Sequence, residues 1–206
     1  LGKMNVPVIA YSHLPRPAGR YSRFTTEFRQ CPNLADTDDF IEWLMKESDQ
    51  FDFVAPTSDF ISFVVAEVDD RLGTDLAGGV GGRRGGAAVR DCLFKDRFAR
   101  ALEASGFPVP DWSAPTSVTD ALAAASTHGY PVVLKPRSHA GIGVARGLIA
   151  DDEADLREMF APYVVGHNQQ SAHQHDPDLG YPIVQQMIRR SALDCVSITG
   201  CPDRDD

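Results

Sequence analysis

Lys135 stands out as a side chain placed for chemistry. It closes the apolar run Gly129-Tyr-Pro-Val-Val-Leu-Lys135, and Pro-Arg137-Ser138-His139-Ala140-Gly141-Ile142-Gly143 follows at once. An ammonium near the end of a buried strand is costly unless it reaches water or meets an anion. Gly141 and Gly143 let the following turn lie close over a charged ligand and aim backbone N–H groups at phosphate oxygens. Strand, pliable turn and return strand make a flap. The same residues also suit an ordinary hairpin with a solvated Lys and Arg.

Two further segments add to this one. Lys95-Asp96-Arg97-Phe98 lies on a predicted helix about 40 residues upstream, where Arg97 falls at the edge of the packed face. Tyr181-Pro-Ile-Val-Gln185-Gln186-Met187-Ile188 reads as a strand running into a hinge. A backbone carbonyl and an N–H two residues apart can read an adenine edge, with Met187 and Ile188 as apolar lining. Taken singly, a solvated helical arginine and a plain strand explain these segments equally well.

The elements that must hold these residues follow from periodicity. Residues 6–11 predict an opening strand. A helix is predicted over about 37–48, capped by Asp36 or Thr37, with Phe40, Ile41, Leu44 and Met45 on one side. Phe51 to Ala55 predicts a short buried strand, and Pro56-Thr57-Ser58-Asp59 opens a helix over about 59–72. Alternation of strand and helix points to an open α/β sheet. Residues 73–87 hold seven glycines in fifteen positions. They read as a flexible connection, since no GxxxxGK[ST] or strand-borne GxGxxG is present.

A helix resumes near 90 with Phe94, Phe98, Ala101 and Leu102 on one face, stops at Gly106, and exits through Phe107-Pro-Val-Pro110. Ser117 or Thr119 caps the next helix, which His128-Gly129 ends. Strands are then expected at 130–135, from Gly143 to Ile149, at 181–188 and over Leu193 to Ile198. A helix carrying Leu156, Met159 and Phe160 lies between the second and third of these.

In this order and spacing, the segments resemble the ATP-grasp family, particularly its carbamoyl-phosphate-synthase-like branch. Lys95 to Pro110 resembles the helix and Gly-x-Pro-x-Pro exit before the small lobe. Gly129 to Lys135 resembles the lobe's first strand, Ser138 to Gly143 its flap, and Ile183 to Ile188 the adenine hinge. Tyr21-Ser22-Arg23 and Ala55-Pro-Thr-Ser-Asp59 resemble the pre-ATP-grasp region.

The fold class implied is α/β, an incomplete open-sheet pre-ATP-grasp domain followed by a small α+β ATP-grasp lobe. Implied boundaries are 1–88 for the first region, 89–114 for a connecting helix and Pro-containing linker, and 115–190 for the small lobe. Residues 191–206 would begin a truncated large lobe or form a tail.

The resemblance also implies roles. Arg97 would touch ATP phosphates and Lys135 the α and β phosphates. Ser138, Gly141 and Gly143 would form the flap. Gln185 stands where the family often has Glu near the adenine amino group, the Gln186 carbonyl and Ile188 N–H would contact adenine, and Asp194 would lie near the ribose hydroxyls. His139-Ala140 and Arg189-Arg190 replace positions that are commonly glycine in the family.

Family members phosphorylate a carboxylate with ATP and Mg2+, and an amine then attacks the acyl phosphate. The magnesium ligands lie in a large lobe beyond the hinge, and only 18 residues follow Ile188 here. The expectation is therefore the ATP-binding portion of a C–N ligase, inactive as a fragment. Its partners would be small carboxylate and amine substrates, with self-association through an incomplete cleft. The alternative is a non-catalytic interaction or regulatory module that kept the scaffold. A dinucleotide-binding protein has only the Gly73 to Gly86 stretch in its favour.

Composition restricts the remaining classes. The 206 residues carry 20 Lys plus Arg against 29 Asp plus Glu, a formal charge of −9, which disfavours a broad nucleic-acid surface. No apolar run approaches the roughly 20 residues of a membrane span. No signal peptide is visible after Leu1-Gly2-Lys3-Met4. Cys31, Cys92, Cys195 and Cys201 form no CxxC pair and read as free thiols, which fits a cytoplasmic protein.

His173, His175, Asp176 and Asp178 could bind a divalent metal but read better as a polar insertion loop, so no metal ligand is assigned. Arg16, Arg20, Arg23 and Arg29 read as a solvated loop. Ser22, Ser58 and Ser138 lack a GxSxG elbow, so no catalytic residue is assigned.

Overall fold

The structure, a computed structural model, describes residues 2–76, 85–140, 147–167 and 176–188. The chain divides into two compact units, Leu1–Asp52 and Phe53–Asp206.

In the first unit, β1 (Ile9–Ser12) pairs in parallel with β2 (Glu27–Gln30), with Ile9 opposite Glu27. The helix predicted over 37–48 is α1 (Thr37–Glu47), whose Phe40, Ile41 and Leu44 are buried. Tyr11 meets Trp43 and Phe51 edge-on at 5.1 and 5.7 Å between ring centroids. β2 lies inside a stretch whose polar composition masked it. The short strand expected over Phe51–Ala55 is not formed. Phe53 is 47% exposed, and Val54 instead donates its N–H to the Leu76 carbonyl at 2.8 Å.

The second unit opens with α2 (Asp59–Leu72). Ser58 caps it by accepting the Ile61 N–H, and Gly73, at φ 67°, ends it in the left-handed region that favours glycine. Against α2 packs α3 (Gly86–Leu93), followed directly by α4 (Lys95–Ala104). Phe94 separates the two helices in extended conformation, φ −98° and ψ 117°. The single face expected from Phe94 to Leu102 is broken there: Phe94 is fully buried, while Phe98 is 46% exposed.

A four-stranded antiparallel sheet completes the unit, in the order β3 (Trp112–Ser113), β6 (Pro182–Gln186), β4 (Val132–Pro136), β5 (Leu148–Ala150). Helices α5 (Val118–His128) and α6 (Glu153–His167) bury Ala121, Ala125, Leu156 and Phe160 with Val132, Leu134, Ala150 and Val184 of the sheet. Residues 141–146 of the expected flap and the strand expected over Leu193–Ile198 lie outside the described residues.

Ser117 provides the α5 cap, with its Oγ accepting the Asp120 N–H at 3.1 Å. Ser117→Ala should therefore cost about 1 kcal/mol. Urea unfolding would measure it, and an unchanged midpoint would mean that the cap contributes nothing.

Candidate functional site

Strand periodicity places Lys135. Val132 and Leu134 are buried against the helices, so Val133 and Lys135 project from the other face. The register puts Ile183 opposite Lys135, Gln185 opposite Val133 and Trp112, and Ile149 opposite Val133. One sheet face thus carries Trp112, Val133, Lys135, Ile149, Ile183 and Gln185. On it, the Lys135 ammonium donates to Gln185 Oε1 at 2.8 Å.

Arg97 lies in the first turn of α4, stacked on the Phe94 ring with its guanidinium 4.3 Å from the centroid. Its Nη2 donates to Asp176 Oδ2 at 2.8 Å. Beside it, Arg137 is 3% exposed and lies 3.6 Å from Asp96 and 3.0 Å from Asp178. It also donates to the Ala114 carbonyl. Arg137 Nε and Asp96 Oδ1 are buried without a hydrogen-bond partner among the described residues. The Lys95 N–H donates to the Arg137 carbonyl at 2.8 Å and joins the start of α4 to the end of β4.

This network was not legible in the sequence. Asp96, Arg137 and Asp178 sit far apart along the chain, and no motif links them. It also gives Asp176 and Asp178 arginine partners. His173 and His175 lie outside the described residues, as do Gly141, Gly143 and Asp194.

The other expected site residues are placed as follows. Ser138 is buried and accepts the Ala140 N–H. Gln186 ends β6 and donates its N–H to the Asp111 carbonyl at 2.8 Å. Ile188, two residues beyond, is 70% exposed. His128, expected as a helix-end residue, ends α5 with its Nε2 3.0 Å from Ser113 Oγ. No carboxylate hydrogen-bonded to it is found among the described residues, so this pair is not a triad.

The electrostatics near Lys95 are uneven. Burial pushes its ammonium below the usual lysine range. Neighbouring Lys135 acts in the same direction, and Asp59 opposes it. Burial and Lys95 also lower the His139 imidazole, again against Asp59.

The fold is that of the ATP-grasp enzymes. The biotin carboxylase domain of the Hydrogenobacter thermophilus 2-oxoglutarate carboxylase, a complex with MgADP, ADP and bicarbonate, superposes with a TM-score of 0.60 at 17% identity. The match covers 90% of this chain and 40% of that one. The L-amino acid ligase of Bacillus licheniformis gives 0.61 at 13% identity, covering 91% and 39%. The N5-carboxyaminoimidazole ribonucleotide synthetase of Thermotoga maritima gives 0.56 at 16%, covering 90% and 41%.

Among curated proteins, the arginine-specific carbamoyl phosphate synthase large chain of Eremothecium gossypii is 39% identical over 67 residues. These are 32% of this chain and 6% of that protein. The chain thus spans about two-fifths of the solved neighbours and a small part of the curated relative. No protein-family model matches it. Among the described residues no helix is long and apolar enough to cross a membrane.

Proposed function

We propose that the chain is the ATP-binding portion of an ATP-dependent carboxylate–amine ligase. It would act through an acyl phosphate in the cytoplasm and would not turn over alone. In this reading 1–88 is the pre-ATP-grasp region, 89–114 the connection, 115–190 the small lobe, and 191–206 the start of a further lobe or a tail.

The observation that carries the proposal is Lys135. Its ammonium stands on the sheet face opposite α5 and α6 and is bonded to Gln185 of the strand leading into the hinge. That face suits a nucleotide. Val133 and Ile149, neither of them buried, offer apolar surface for a base, and Lys135 offers a positive charge for phosphate. ATP, when bound, supplies the phosphoryl group that activates the carboxylate.

The chain's own residues would bind and orient it, Lys135 and Arg97 at the phosphates and Gln185, Gln186 and Ile188 at the base. Ser138 opens the flap segment. Among the described residues no three His, Cys, Asp or Glu side chains converge, and magnesium would come with the phosphates of ATP.

A second reading, a non-catalytic module on the same scaffold, draws on one observation. Arg97 and Arg137 already face internal carboxylates. Calorimetry with MgATP separates the two. The ligase reading expects binding by the intact chain and a loss of about tenfold or more in Lys135→Ala, the size of one charge-assisted hydrogen bond. Silence of both proteins at millimolar MgATP would leave only the module.

A further inference from the structure

Three carboxylates share two guanidinium groups where α4 begins, β4 ends and a single 3-10 turn, Pro177–Gly180, leads into β6. Asp176 divides its oxygens. Oδ1 accepts the Asp178 N–H and shapes the turn, and Oδ2 accepts from Arg97 Nη2 at 2.8 Å. Arg137 is contested by two acids. Its Nη1 lies 3.0 Å from the exposed Asp178 and 3.6 Å from the buried Asp96. Arg137 Nε and Asp96 Oδ1 meet no hydrogen-bond partner among the described residues. An orphan donor and an orphan acceptor on two facing, buried side chains are the open halves of a side-on bidentate pair. The nearer carboxylate, Asp178, takes the Nη1 that the closed pair would use.

We propose that Asp176 and Asp178 form an autoinhibitory latch, in which Asp176 holds the Arg97 guanidinium in place of a phosphate oxygen and lets go when a polyphosphate anion binds. This rests on the nucleotide reading above and adds to it a competitor built into the chain. Charge balance favours displacement over sharing. The three carboxylates already exceed the two guanidinium groups by one, so a phosphate set at Arg97 beside Asp176 would meet like charge at close range. Arg97 can exchange partners, because its side chain is 35% exposed and rests on the Phe94 ring independently of Asp176.

The second arginine makes release inexpensive. Movement of Asp176 withdraws the acceptor that holds the Asp178 N–H and so loosens the turn that presents Asp178. When Asp178 leaves, Nε and Nη1 of Arg137 close on both oxygens of Asp96, and the two orphan atoms gain partners. Leu179 and Gly180 are buried and stay in place, so the change is confined to the acidic residues ahead of them.

Calorimetry on the full chain with MgATP and with inorganic tripolyphosphate tests the latch. Asp176→Asn removes the charge but keeps an acceptor for the Asp178 N–H. It should bind both probes about threefold to tenfold more tightly than the parent. The gain should vanish in an Arg97→Gln background, which separates release of Arg97 from a general loss of negative charge. Asp176→Ser, another uncharged cap, repeats the test should the asparagine variant not fold, and far-UV circular dichroism checks each variant against the parent.

If the parent binds MgATP and Asp176→Asn binds it no more tightly, the latch is overturned and the nucleotide reading stands. A gain of the same size with and without Arg97 overturns the latch as well. If MgATP is ignored but Asp176→Asn takes tripolyphosphate more tightly through Arg97, the nucleotide reading fails and the latch stands as the gate of a polyphosphate seat. If no variant takes either probe, both fail.

Discussion

Replacing Arg137 by methionine is expected to destabilise the second unit by about 3–5 kcal/mol. The side chain is 4% exposed and faces Asp96, itself 9% exposed, whose Oδ1 already lacks a partner among the described residues. Removing the guanidinium would leave a buried carboxylate with no counter-charge. Breaking one side of a buried pair costs far more than an exposed pair would.

The double variant Arg137→Met with Asp96→Asn should recover about half of the loss, because no orphan charge remains. Urea denaturation of the parent and both variants measures this. A single variant within about 1 kcal/mol of the parent would show that the Arg137 network does not hold the start of α4 to the end of β4.

Gly86→Ala should destabilise by at least about 2 kcal/mol. For a glycine inside an exposed helix the sign would be opposite, since alanine there stabilises by about 0.5–1 kcal/mol. At Gly86, however, α3 lies so close to α2 that an added Cβ would collide with the Ala66 carbonyl and lie 2.7 Å from Asp70 Oδ1. Backbone cannot move aside as a flexible side chain can. The neighbouring ion pairs of Arg90 with Glu67 and Asp70 join the same two helices, so separating these helices would strain those contacts too. Thermal unfolding decides the matter, and a stabilised Gly86→Ala would show that the close approach is wrong.

The parts of the fold that were legible in the sequence are those where a local signal coincides with burial. Ser58 and Ser117 mark helix starts because their hydroxyls satisfy N–H groups three residues on. The apolar run from Tyr130 to Leu134 marks a buried strand, and a lysine that closes such a run is why Lys135 could be singled out; which residues of the run face the helices, Val132 and Leu134, is seen in the structure. Failures came where partners are distant. β2 reads as polar chain because Glu27 and Arg29 bond each other at its surface, and only β1 makes it a strand. The segment around Phe51 is apolar but finds no strand to pair with.

Phe94 and Phe98 have helical spacing, but an extended residue at 94 interrupts it. In the candidate site, the lysine, the hinge strand and Arg97 stood out through ordered motifs. The carboxylates that take up the two arginines depend on tertiary approach of segments that share no local pattern.

The two tryptophans fall one to each compact unit, Trp43 in Leu1–Asp52 and Trp112 in Phe53–Asp206. Trp43 meets Tyr11 edge-on and Phe40 at a tilt, whereas the Trp112 indole donates to Glu103 beneath the Arg100 guanidinium. The molecule therefore carries a separate optical label for each half. A Trp43→Phe chain would report by emission on the second unit alone, and its fluorophore sits in register with Gln185, the residue that holds the strand lysine. Titrating such a chain would reveal occupancy of that face as a change in colour or brightness, without any attached dye.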